Sequence, residues 1–351
     1  MSGSPLPLSL SEITPEWLSA ALSAEHPGVE VTSAQIDNVI HGTASKALLR
    51  VAYNDVGRDA GLPPTLCVKG GFREALRKRV WGGLMLEARF YSTIARQLTI
   101  NIPHCYFAAI DEDSRQAVVL LEDLSARRVQ FTGAEPPLEP DAVAAMLTLQ
   151  ARLHAQWWDR PDLDQFDGWQ DPMRIYMRWQ LRPARWTKSL GMRQGAHVPS
   201  ELRDRDTVEA ALERLWAADD AQPQTLIHGD PHPGNMYFEA DGAPGLLDWQ
   251  CAMRGSWAHD VTYSIICSLD VDDRRANERA LLAHYLNCLA GAGGQPPDPD
   301  RAWLEYRRHI LHGFAMTTPS ALDQASEDTT TTMARRCQLA AADHDVLTTL
   351  P

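Results

Sequence analysis

No C-x-x-C pair occurs among the six cysteines, which stand at 67, 105, 251, 267, 288 and 337. That removes zinc-ribbon and thioredoxin-type readings. Thiols scattered in this way suit a reducing cytoplasm. The N-terminal MSGSPLPLSL has no basic stretch followed by a long apolar one, so no signal peptide is expected. No run approaches the roughly 18 apolar residues that a membrane-crossing helix needs. Positive charge is in deficit: 33 Lys and Arg face 46 Asp and Glu, a net charge of −13. A nucleic-acid partner favours a basic surface and is therefore not expected. Any polyphosphate must be met locally, by a lysine, backbone N–H groups or a metal. Internal repeats, Walker A, H-E-x-x-H and G-x-S-x-G are missing as well. What is left is an ordinary globular composition, 44% hydrophobic and 23% charged, over 351 residues. That length suits two lobes.

The densest pattern is Thr225 to Gln250, TLIHGDPHPGNMYFEADGAPGLLDWQ. A short apolar run leads into His228, Gly229 and Asp230, and Asn235 follows five positions after Asp230. Two more apolar runs, Met236 to Phe238 and Leu246 to Leu247, flank Asp241-Gly242, a hairpin signal. Asp248 ends the second run. An acid thus sits in a loop after one strand, an amide closes the loop, and a second acid ends a hairpin. The spacing Asp230-x-x-x-x-Asn235 equals that of the protein-kinase catalytic loop. Phosphoryl transfer asks mainly for positioning and charge neutralisation. In that chemistry Asp230 orients the hydrogen of the attacking hydroxyl. Asn235 and Asp248 supply the hard oxygen ligands that Mg²⁺ prefers. A rival reading takes His228, Asp230 and His232 as the ligand set of a metal-dependent hydrolase. It leaves Asn235 and Asp248 without work.

This stretch resembles the aminoglycoside phosphotransferase and choline kinase group of small-molecule kinases, whose loop reads H-G-D-x-x-x-x-N. Asp248-Trp249-Gln250 is most similar to the ecdysteroid-kinase-like branch. The resemblance implies an α+β, bilobal, protein-kinase-like fold. Residues 1–122 would form an N-lobe with an antiparallel sheet and a helix. Residues 123–351 would form a mostly helical C-lobe with the catalytic loop, metal site and acceptor pocket.

Residues 1–12 form a loose lead, and Thr14 caps a helix from Pro15 to Ala24. Val29 to Tyr53 reads as strands around the turn His41 to Lys46. In a kinase the N–H groups of Gly42, Thr43 and Ser45 would face the β- and γ-phosphates, although Gly42 stands alone, without G-x-G-x-x-G. Thr65 to Lys69 is a strand with Thr65, Cys67 and Lys69 on one face. It resembles the strand whose lysine holds the α- and β-phosphates, with Cys67 over the adenine. Leu84 to Leu98 has helical spacing and puts Glu87 in the apolar stripe with Phe90, Tyr91, Ile94 and Leu98. A buried carboxylate needs a partner, and Lys69 is the natural one. Glu74 is the other acid close by, among Arg73, Arg77, Lys78 and Arg79, a basic cluster expected to be solvated. Val118 to Leu121 is a central strand. Glu122-Asp123-Leu124 then resembles the hinge whose backbone pairs with adenine through Glu122 and Leu124.

Pro140 to Trp158 is helical, with His154 on its apolar face as a satisfied core histidine. Five of the eleven tryptophans lie in 157–186 with Phe166, Tyr176 and the interleaved Arg174, Arg178, Arg182 and Arg185. This segment reads as an insert packing on the C-lobe or, alternatively, as one that in part walls an acceptor pocket. Helices are expected at Trp257 to Leu269, with Asp260 favouring the N-terminus, then at 273–290, 301–315 and 333–347. The polar stretch 321–332 is expected to be mobile.

The expected function is transfer of the ATP or GTP γ-phosphate to a hydroxyl of a small molecule in the cytoplasm. The arginine-bearing aromatic segment favours a neutral or lipophilic alcohol over a polycationic aminoglycoside. A non-catalytic nucleotide-binding pseudokinase is the other class of answer; it has no need of Lys69, Asp230, Asn235 and Asp248 together.

Overall fold

A computed structural model describes residues 5–42, 44–166, 172–319 and 326–351. Thr43, Gly168, Trp169 and 320–325 lie outside the described residues, as do the side chains of Phe166 and Pro172. By internal packing the chain divides into two compact units. The first holds residues up to Leu98, Ile102–Val129 and Asp248–Gln250. The second holds Thr99–Asn101, Gln130–Leu247 and Cys251–Pro351. Asp248–Gln250 therefore pack with the first unit, although the sequence reading placed them in 123–351. Trp249 stacks on Phe90, with ring centroids 4.1 Å apart.

The first unit begins with α1 (Pro15–Leu22), started by Thr14, whose side chain accepts from the Trp17 N–H. Then come β1 (Val31–His41), β2 (Ser45–Tyr53), the short α2 (Asp55–Asp59), β3 (Thr65–Gly70), α3 (Glu74–Arg89), β4 (Cys105–Asp111) and β5 (Gln116–Glu122). The five strands form one antiparallel sheet in the order β1-β2-β3-β5-β4. Alternation divides its faces. Ala47, Leu49, Val51, Leu66, Val68, Val118 and Leu120 point to an apolar layer shared with Trp17, Leu18 and Leu22 of α1. The other face carries Lys46, Cys67 and Lys69. The helix carrying Glu87 starts ten residues earlier than its spacing suggests, at Glu74. It passes into a π-helical turn over Phe90–Ile94.

Two expectations for this unit are corrected. The N-terminal lead is tied down: Gln116 Nε2 donates to the Pro7 carbonyl at 2.6 Å, and Arg77 Nη1 to the Leu8 carbonyl at 3.2 Å. Arg77 is accordingly buried, not solvated. It also donates to Gly71 O at 3.0 Å.

The second unit contains β6 (Gln130–Phe131), α4 (Pro140–Gln156), α5 (Pro172–Gln180), α6 (Pro183–Leu190), α7 (Arg205–Asp220), β7 (Thr225–Ile227), β8 (Met236–Phe238), β9 (Pro244–Leu246), β10 (Met253–Gly255), α8 (Trp257–Ser268), α9 (Val271–Gly291), α10 (Pro299–Thr317) and α11 (Glu327–Asp343). β6, β8 and β9 form a small antiparallel sheet, and β10 pairs with β7. Asp241-Gly242 lies in the loop between β8 and β9, with Gly242 at φ +84°. Every residue of α8 is buried, and one large apolar core surrounds it. Trp157 and Trp186 belong to that core, so the aromatic segment packs on this unit. The last helix starts earlier than its apolar spacing suggests, because Ser326 caps it and Glu327 and Asp328 favour its first turn. Residues 327–332 are therefore helical. Among the described residues no helix is long and apolar enough to cross a membrane.

Phe90 and Trp249 are both fully buried. Phe90→Ala should cost about 3–5 kcal/mol, read as a lower urea midpoint at unchanged slope. A loss below about 1 kcal/mol would mean that the stack holds nothing in place.

Candidate active site

In the first unit the sequence-expected residues meet around one ammonium group. Lys69 Nζ lies 2.7 Å from Glu87 Oε2 and 2.7 Å from Asp248 Oδ1. Lys69 and Glu87 are almost fully buried. Burial pulls the Lys69 pKa down, but Asp248 and Glu87 together outweigh it and leave it above the ordinary value. Burial raises Glu87, against the pull of Lys69. Glu74 makes no claim on Lys69; it pairs with Lys78 at 2.9 Å on the surface. Asp248 sits at φ +69°, in the left-handed region that non-glycine residues rarely adopt. A second lysine missed by the sequence reading, Lys46, reaches the other oxygen of Asp248, Oδ2, at 3.5 Å. It is the last residue of the turn expected to face phosphates, but no motif marked it.

The neighbouring expectations fare unevenly. The Gly42 N–H is spent inside the turn, on the Ala44 carbonyl at 3.1 Å. Ser45 is buried with its hydroxyl 3.3 Å from His41 Nδ1. Closing so tight a turn consumes the Gly42 N–H that was expected to face phosphates and engages the Ser45 hydroxyl. The Glu122 N–H is likewise committed, to His104 O at 2.9 Å, so any adenine contact at Glu122 would fall to its carbonyl. Leu124 is buried and opens a short 3-10 turn capped by Asp123. Cys67 lies on the Lys69 face, but its lysine neighbours do not activate it. Burial pushes its thiol up to about 11, against the opposing pull of Lys46 and Lys69.

In the second unit the loop after β7 is held by its backbone. His228 Nε2 donates to the Leu247 carbonyl at 3.0 Å, and its Nδ1 accepts from the Asp230 N–H at 3.2 Å. Both ring nitrogens are thus used. This removes His228 from the H-x-D-x-H ligand set of the rival hydrolase. Asn235 donates through Nδ2 to Asp230 O at 2.8 Å and Oδ2 at 3.3 Å, which leaves its amide oxygen for a ligand. His232 accepts the Gly234 N–H on Nδ1, and its Nε2 stands 3.7 Å from Asp230 Oδ2.

The support for this loop is α8, and sequence reasoning missed most of it. Asp260 accepts the N–H of His228 at 2.7 Å and of Gly229 at 2.9 Å. His259 Nε2 donates to Gly229 O at 2.9 Å, and Ser264 Oγ to Pro231 O at 2.9 Å. One helix therefore binds the backbone of residues 228, 229 and 231. Gly229 is required at φ +82°, where a Cβ would run into the Cys251 carbonyl oxygen. His154 is the expected satisfied core histidine, bonded to Tyr285 OH at 2.8 Å and Asp260 at 3.3 Å. Burial would raise Asp260, but His154 and the neighbouring His259 and His228 hold its carboxyl below the usual range.

Among the described residues three metal-ligating groups converge at Asp219, Glu305 and His309. Arg301 and Arg308 already hold Glu305, at 2.7 and 3.1 Å, and His309 pairs with Asp219 at 3.1 Å. The cluster is a closed ion-pair set. Beside it a small cavity is lined by Met173, Met177, Trp216, Arg174, Arg254 and His259, so part of the aromatic segment walls a hollow next to the Gly229 brace.

Two measurements follow from the Lys69 group and its face. In a double-mutant cycle on unfolding free energy, Lys69→Met and Glu87→Gln should show a coupling of about 0.5–3 kcal/mol; additivity would mean that the pair carries no energy. The Cys67 thiol should be nearly inert to maleimide at pH 8, where roughly one in a thousand is ionised. Its rate should climb about tenfold per pH unit up to about pH 11; a fast reaction at pH 7 would contradict the burial.

Residues 79–303 match the model of the phosphotransferase enzyme family. A homoserine kinase of Brucella anthropi is 32% identical over 103 residues, covering 28% of this chain and 31% of that protein. The chain spans less than a third of the length of the curated relatives it matches. Among solved structures, a Ralstonia eutropha protein assigned as an aminoglycoside phosphotransferase superposes with a TM-score of 0.53 at 15% identity, over 96% of this chain and 98% of that one. A Plasmodium vivax ethanolamine kinase gives 0.50 at 10% identity, over 93% and 83%. These two likenesses show the fold, α+β and protein-kinase-like. With the family match covering more than half of its length, the chain belongs to the phosphotransferase enzyme family, a family of small-molecule kinases.

Proposed function

We propose that this protein moves the γ-phosphate of ATP or GTP to a hydroxyl of a small molecule, with Mg²⁺ as cofactor and a neutral or lipophilic alcohol as acceptor. The observation that carries the reading is the buried Lys69 ammonium held between Glu87 and Asp248. A charge kept in place against such desolvation suits a polyphosphate ligand. A pseudokinase scaffold gives no reason to retain Asp230 and Asn235 in addition to it.

The roles then follow from chemistry. Lys69, steadied by Glu87, binds the α- and β-phosphates. Asp230 takes or orients the hydrogen of the attacking hydroxyl, and the α8 contacts to residues 228, 229 and 231 limit where it can point. Asn235 and Asp248 would hold Mg²⁺. The free amide oxygen of one and the carboxylate of the other fit a hard cation. When bound, that ion would neutralise charge on the transferred phosphoryl group. Cys67, Glu122 and Leu124 are assigned to the base, with residues 1–122 as the nucleotide-binding lobe and 123–351 as the lobe of the acceptor. Thr43, like Gly42 and Ser45, stays a weaker candidate for phosphate. None of the six cysteines forms a disulfide, which suits a reducing cytoplasm.

The cavity supports this acceptor class. Met173, Met177 and Trp216 give it an apolar side, Arg174 and Arg254 bring positive charge, and Asp219 brings a carboxylate. A lining of both signs with an apolar side suits a neutral alcohol or a hydroxylated amino acid better than a polycation. Homoserine enters the list of acceptors through the curated relatives.

The test is a screen of alcohols, sterols, hydroxylated amino acids and amino sugars with Mg²⁺ and ATP or GTP, read by mass shift. Asp230→Asn should lower transfer by about 10²–10⁴ while nucleotide affinity stays nearly constant. Wild-type turnover in that variant, or phosphorylation of amino sugars alone, would overturn the base or the acceptor class respectively.

A further inference from the structure

Lysine is rare in this chain. Of its 33 basic residues only four are lysine: Lys46, Lys69, Lys78 and Lys188. Two of the four are directly opposed across β2 and β3, Lys46 against Lys69. Like charges in that relation repel, and here they share one counter-ion. Asp248 gives Oδ1 to Lys69 at 2.7 Å and Oδ2 to Lys46 at 3.5 Å. The two contacts are unequal. The Lys69 side chain is 4% exposed and has Glu87 as a second carboxylate. The Lys46 side chain is 32% exposed, on the longer contact.

We propose that Lys46 is a second phosphate-binding cation, released from Asp248 to grip the terminal phosphates of a nucleoside triphosphate. The inference rests on the kinase reading above and adds a residue to it. The turn before Lys46 spends its Gly42 N–H on Ala44 O and buries Ser45. A protein with a net charge of −13 must therefore place cations on a polyphosphate individually. Lys46 and Lys69 balance Glu87 and Asp248, so the empty set is neutral and attracts a polyanion weakly. A divalent cation held by Asp248 would take the counter-ion of Lys46 and leave its ammonium, on a flexible four-carbon stem, to a phosphate. An ammonium on such a stem can follow a phosphate, where a guanidinium would be tied to a fixed fork. Lys46 thus acts only when triphosphate and divalent cation are both present.

The experiment measures binding by calorimetry, with and without Mg²⁺, for ATP, GTP, inorganic triphosphate and AMP. Lys46→Gln should weaken both nucleoside triphosphates and inorganic triphosphate by about 10- to 100-fold in Mg²⁺, with AMP changed by less than about twofold. Lys46→Arg should recover part of the loss. In the unmutated protein, reductive dimethylation with peptide mapping should show Lys46 protected by Mg²⁺–ATP. Lys78, whose side chain is 63% exposed, should label at the same rate in both states. Triphosphate binding unchanged in Lys46→Gln, or Lys46 labelling unchanged by saturating Mg²⁺–ATP, overturns the role of Lys46 alone. Equal loss for AMP and ATP overturns it too, since the residue would then act on the whole site. A wild-type protein that binds neither nucleotide nor triphosphate overturns the kinase reading, and Lys46 falls with it.

Discussion

A lysine buried between two carboxylates is the constraint on which the first unit depends. Desolvation of an unpaired ammonium is too costly to survive folding. Lys69 can be there only if Glu87 and Asp248 are both brought to it. Glu87 arrives because its helix puts it in an apolar stripe. Asp248 arrives because Trp249 next to it stacks on Phe90, one turn beyond Glu87. A packing contact between two rings thereby places a carboxylate that has a charge to answer. The positive φ of Asp248 is the backbone strain that this arrangement accepts.

The second unit solves a different problem. A loop that presents Asp230 leaves several backbone N–H and C=O groups without a strand or helix to satisfy them. The wholly buried α8 supplies the partners through Asp260, His259 and Ser264. A carboxylate that accepts two N–H groups and a histidine is satisfied in full, which is why it can sit at the centre of an apolar core. The rigidity this gives the loop is what general-base chemistry needs from a scaffold.

Much of this was legible in the chain itself. Asp230, Asn235 and Asp248 stand at intervals that follow from loop and hairpin length. Lys69 and Glu87 could be paired from strand alternation, helical spacing and the cost of a lone buried charge. His154 could be read as a core residue from its helix face. These inferences work because each depends on local periodicity or on a charge that must be compensated.

What only tertiary structure decided has a common cause: donors and acceptors choose partners far away in sequence. Asp260 looked like a favourable charge at a helix N-terminus, and its actual partners lie about thirty residues upstream. Gly42 and Glu122 offered backbone N–H groups that the chain spends internally. Arg77 looked solvated within a basic cluster and is buried on two carbonyls. Lys46 carried no motif, and its relation to Asp248 spans 202 positions. Sequence alone picked out the candidate residues and determined that the sheet's lysine needs a buried acid. Packing decided which polar groups remain available for a ligand, because that depends on every other group that reaches them first.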